Sequence, residues 1–120
     1  MISFLIPIRL GRGLNDHEHW TVRAKRVKRE RNAVRLLWPR RATIALPVVV
    51  LLTRISPGTR LMDAEDNLTG SLKAVRDQVA AQLGIDDGDR SAASWEYAQE
   101  RGAWGVRVEI RARADVGRVG

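Results

Sequence analysis

The stretch MDAEDNLTGSLKAVRDQVAAQLGIDDGD, residues 62–89, decides how the rest of the chain is read. Leu68, Leu72, Val75, Val79 and Leu83 recur at the three- and four-residue spacing that lines up one apolar stripe on an α-helix. Asp66 or Asn67 offers a cap for its start, and Gly84 closes its end. Opposite the stripe lie Asp66, Gly70, Lys73 and Asp77, so the spacing predicts an i, i+4 pair between Lys73 and Asp77. Two carboxylate clusters, Asp63/Glu65/Asp66 and Asp86/Asp87/Asp89, flank this helix in a chain that is otherwise strongly basic. Acids at both ends of a helix that also carries a lysine can gather divalent cations and phosphate in one place. The same residues also suit a plainer role, as helix-start acids and as an Asp-Gly turn.

Working outward, the run ALPVVVLL places a second strand at Arg41 to Thr53, apolar enough for burial on both faces, and Ser56-Pro57-Gly58 turns after it. Before it, the chain predicts a helix capped by Asn15, with Asp16 and Glu18 in its first turn and Pro39 ending it. Trp20, Ala24, Val27, Val34, Leu37 and Trp38 give that helix its apolar side, with Arg31 interrupting. Ile2 to Leu10 reads as the first strand, and Pro7 suits an edge position. On the C-terminal side, Ser94–Glu100 and Trp104–Arg113 read as two strands joined through Arg101-Gly102-Ala103. The last alternates Val106, Val108 and Ile110 with Arg107, Glu109 and Arg111, so it should cover the core on one face. The order β-α-β-α-β-β predicts an α+β domain, a small mixed β-sheet with two helices, over residues 1–113, and residues 114–120 read as a frayed tail.

Composition narrows the chemistry. With 120 residues, 44% of them hydrophobic, the chain supports one modest core. It has no cysteine, and its two histidines, His17 and His19, sit together at the front, which argues against structural zinc. Any metal should therefore be a hard cation on oxygen ligands, Mg2+ or Mn2+. A net charge of +7 and a pI near 11.2 point to a polyanionic partner. Arg23, Lys25, Arg26, Lys28 and Arg29 concentrate that charge on the first helix, where Glu30 is the sole carboxylate beyond the first turn. Side-chain pairing along the helix cannot neutralise the run, so it is read as a contact for phosphates rather than for base edges. The apolar run at Ile44 to Leu52 is about half the length a spanning helix requires, and the opening MISFLIPIRL lacks the features of a signal peptide. A soluble, cytoplasmic protein without a membrane partner is expected.

Asp66-Asn67-Leu68, then Lys73 and Asp77, then Gly84-Ile85-Asp86-Asp87, resemble the signature of the RusA family of Holliday junction resolvases, small dimeric endonucleases common in phages and prophages. Gly13-Leu14-Asn15 and Trp20 on a basic helix resemble the opening of phage members, and Trp95-x-Tyr97 with residues 105–110 resembles the closing strands. The similarity spans nearly the whole chain. It implies a RusA-like nuclease domain that cuts four-way DNA junctions as a homodimer with Mg2+. Asp66, Asp87 and Lys73 would then be catalytic, and Asp63, Asp66, Asp86 and Asp87 would supply the metal ligands. Ala64 stands where the family pattern has an aspartate, with Asp63 and Glu65 on either side. A catalytically inactive RusA-like DNA-binding protein, architectural or regulatory, is the alternative that this position raises.

Overall fold

A computed structural model describes residues 1–11, 19–58 and 67–113. In chain order they form β1 (Ile2–Ile6), α1 (Trp20–Leu37), β2 (Val48–Ser56), α2 (Thr69–Ser71), α3 (Lys73–Leu83), β3 (Ala93–Arg101) and β4 (Gly105–Ala112). The four strands make one mixed sheet in the order β1-β4-β2-β3, an α+β fold as the element order predicts. β2 runs parallel to β3 and antiparallel to β4, and β1 runs antiparallel to β4. Strands β3 and β4 are consecutive in the chain yet do not pair with each other, because β2 lies between them.

Alternation along each strand divides the sheet into two faces. Val106, Val108 and Ile110 of β4, in register with Val50 and Leu52 of β2 and with Ile2 and Ile6 of β1, are all buried. They meet Val34 of α1 and Leu68, Leu72, Val75 and Val79 of the second helical segment in one core. Both helices thus cover the same face. On the opposite face two ion pairs join β3 to β4 over the top of β2: Arg107 to Glu100 at 2.7 Å and Arg111 to Glu96 at 3.7 Å. Their long side chains roof Val49, Thr53 and Ile55, which are buried although no helix among the described residues packs there. This explains how β2 satisfies the expectation of burial on both faces.

Four expectations are corrected. The first helix begins at Trp20, and its cap is His19, whose Nδ1 accepts from the Thr21 amide at 3.2 Å. The helix's first turn holds no acid, and Asn15, Asp16, His17 and Glu18 lie outside the described residues. The second strand starts at Val48 rather than Arg41, after a cis Leu46-Pro47 bond, and runs on to Ser56. Only part of the first helix's apolar side is covered: Val34 is buried, while Trp20 is 73% exposed. Arg31, which breaks that stripe, donates from Nε to Gln78 Oε1 at 3.0 Å and ties α1 to α3. Lastly, the predicted single helix is broken into α2 and α3 at Leu72. Thr69, Gly70 and Ser71 are weak helix formers, and Ser71 turns its hydroxyl back onto the Leu68 carbonyl at 3.0 Å. At the other end Gly84 adopts φ 72°, and its amide and that of Ile85 close onto Ala80 as the sequence predicts.

Candidate active site

The apolar stripe presses α3 onto the sheet, and this leaves its flank facing the start of β3. Arg76 lies on that flank between buried Val75 and the Lys73-Asp77 line. Its guanidinium is held on several sides. Nε donates to Asp87 Oδ2 at 2.9 Å, Nη2 to the Asp87 carbonyl at 2.9 Å, and Nη1 to the Tyr97 hydroxyl at 2.6 Å. The same guanidinium stacks 4.8 Å from the centre of the Trp95 ring, and the Trp95 indole N–H also donates to the Asp87 carbonyl. Arg76 thereby fixes the Asp87 backbone and carboxylate against β3, with a planar fork suited to this bidentate grip.

These contacts build one side of an open cleft of about 220 Å³ lined by Thr69, Gly70, Lys73, Arg76, Asp87 and Tyr97. Two of the predicted catalytic residues, Lys73 and Asp87, therefore line one cleft. Lys73 Nζ lies 3.3 Å from Asp77 Oδ2 on the exposed side of α3, the pair expected from their spacing. Asp86 does not line the cleft. Its Oδ1 accepts from the Gly88 amide at 3.0 Å and shapes the turn, as Asp89 does by accepting from the amide and hydroxyl of Ser91. Those bonds hold the Asp89 carboxyl below the usual aspartate range. Asp63 and Asp66, the remaining predicted acids, lie outside the described residues. Beside them in the chain is Asn67, whose Oδ1 is buried and receives no hydrogen bond.

Sequence reasoning missed Arg76 and Tyr97 as site residues. A cation three positions after Lys73 on the same helix was a usable signal. The junction with Tyr97 depends on β3 packing beneath α3, which no local pattern encodes.

The basic helix divides into two groups. Lys25, Lys28 and Arg29 are exposed, as is Arg23. Arg26 turns inward: its Nη1 lies 3.1 Å from Oε2 of Glu30, a carboxylate with no solvent exposure. Arg26, expected on the nucleic-acid surface, thus also serves as the counter-charge of a buried acid one turn away. Glu30 also accepts from the Gly11 amide and so ties the chain after β1 to α1. Burial pushes the Glu30 carboxyl above its ordinary value despite the pull of Arg26.

No protein-family model matches the chain. An uncharacterized protein of Xylella fastidiosa (strain Temecula1) is 38% identical over 79 residues, which make up 61% of this chain and 51% of that protein. The chain thus matches about half the length of this curated relative. Among the described residues, no helix is long and apolar enough to cross a membrane.

Proposed function

We propose that this protein is a RusA-like, Mg2+-dependent endodeoxyribonuclease of the cytoplasm that acts as a homodimer on four-way DNA junctions and resolves them by paired symmetric nicks. The observation that carries the reading is the convergence of Asp87 and Lys73, from a turn and a helix, on one polar cleft with Arg76 and Tyr97. A phosphodiester entering such a cleft meets the cations of Lys73 and Arg76 together with the carboxylate of Asp87. Arg76 engages Oδ2 of Asp87, and among the described residues Oδ1 accepts no hydrogen bond, so one oxygen of the acid stays available to a cation or to a water. Lys73, exposed at the rim, is placed to shift from Asp77 to a phosphate oxygen and offset charge that develops there.

The donor set suits Mg2+ or Mn2+. Asp87 offers a carboxylate oxygen, and the chain carries further acids at Asp63 and Asp66, just before Asn67 in the sequence. The chemistry supplied by a bound divalent cation is activation of water and neutralisation of charge at the phosphorus. Asp87, with Asp63 and Asp66, would hold it. Asp86, occupied in its turn, would act at most by orienting Asp87.

The test is incubation of the protein with a labelled four-way junction and a matching linear duplex, with Mg2+, with Mn2+ and with EDTA. Symmetric nicks in the junction alone, lost in EDTA, are expected; tight junction binding without nicks under either metal would reject the nuclease. The second reading, an inactive RusA-like DNA-binding protein, draws support from the grip of Arg76 on Asp87, which sets a cation where a metal-binding carboxylate would be needed. It predicts that binding-only outcome.

A further inference from the structure

At the end of the sheet where β1 and β2 finish and β4 starts, two arginines share one aromatic ring. The Arg9 guanidinium lies 4.6 Å from the centre of the Trp104 ring and that of Arg54 lies 5.5 Å from it. Arg54 is only 8% exposed, on the core-facing side of β2 opposite Val106. Its Nη1 donates to Ser56 Oγ at 3.2 Å, and its Nε is buried with no hydrogen-bond partner. Among the described residues neither arginine has a carboxylate within ion-pair distance. Burial and the neighbouring Arg9 both push the Arg54 guanidinium below its ordinary value.

A buried cation with an unused donor, beside a second cation, is costly unless a counter-charge arrives. Stacking on an indole offsets part of that cost but supplies no acceptor. The missing component is an anion with several acceptor oxygens, and exposed Arg9 together with half-buried Trp104 leaves the cluster open at the surface. We infer that Arg9, Arg54, Ser56 and Trp104 form a binding site for a phosphate group, supplied by a nucleic-acid backbone. Position supports that source. Arg54 pairs in register with Gln99, two residues beyond Tyr97 on the same face of β3, so its side chain stands on the same face of the sheet as the cleft. The inference rests on the reading of this chain as a DNA-handling protein, and assigns to Arg9 and Arg54 a backbone phosphate other than the one in the cleft.

The test follows the side-chain Nε–H signals of Arg9 and Arg54 by NMR in EDTA, during titration with a short single-stranded oligonucleotide and separately with inorganic phosphate. Both signals should shift saturably with the oligonucleotide and far less with phosphate at equal concentration. Arg9→Gln and Arg54→Met should each weaken oligonucleotide binding about tenfold, the loss of one charge-assisted contact. Arg9 is exposed, so its variant gives an answer even where Arg54→Met perturbs folding. Unchanged affinity in a folded Arg9→Gln protein, or shifts with inorganic phosphate alone, would overturn the assignment. No cleavage enters this measurement, so a chain that nicks nothing can still show the site, and an active nuclease can lack it.

Discussion

At position 30 a carboxyl lies wholly inside the protein, held by Arg26 and by the amide of Gly11. Because burial raises its folded-state pKa above the ordinary carboxylate value, the folded chain binds this proton more tightly than the unfolded chain does. Its contribution to stability is therefore most favourable in acid and declines as pH rises from near 4.5 through the folded value. Glu30→Gln should remove that decline, so urea midpoints of the variant relative to wild type should improve between pH 4 and pH 7. Asp87 is instead a part-exposed acid paired with Arg76. Under the proposed chemistry Asp87→Asn abolishes metal-dependent nicking while gel-shift affinity for the junction persists; full activity would remove Asp87 from the mechanism. Both carboxylates were visible in the sequence. Their environments were not, because the arginine that holds each one is set by packing: Arg26 by the depth of Glu30, and Arg76 by the meeting of α3 with Tyr97.

The helices were legible where one residue pattern controlled them and misjudged where several competed. Leu72, Val75 and Val79 gave α3 its face, and Gly84 its stop, but Thr69-Gly70-Ser71 overrode the stripe at its start. Gly84→Ala should cost about 1 kcal/mol in chemical denaturation, since alanine resists the left-handed backbone found there. Strand β2 was found by composition, whereas its start was missed because apolar Ile44 to Pro47 resembles the strand it precedes. On α1 the run of cations concealed a division of labour. Replacing Lys25 and Arg29 together with alanine should weaken DNA binding and reduce the slope of log affinity against log salt by about 2. Arg26→Ala should instead destabilise the fold by about 3 kcal/mol by leaving Glu30 buried and unpaired, measurable as a lower urea midpoint.

For the molecule as a whole, β2 is the strand with partners on both edges and side chains covered on both faces, so its amides around Val50 and Leu52 should exchange most slowly with deuterium and those of β1 and β3 sooner. The class of fold followed from the order of elements. The strand order did not, because alternation in β4 fixes which face is buried and says nothing of which neighbours it takes. That order has a consequence for how the chain is made. Strand β4 is the last element among the described residues, yet it separates β1 from β2 and supplies an edge to each. On a ribosome, the Val48-Val49-Val50-Leu51-Leu52 segment emerges long before residues 105–112, with an open edge and no roof of arginines above it. Until those residues leave the exit tunnel, this apolar segment presents an unpaired edge to its copies. A chain stalled or cut before Gly105 is thus a seed for aggregation rather than a shorter domain.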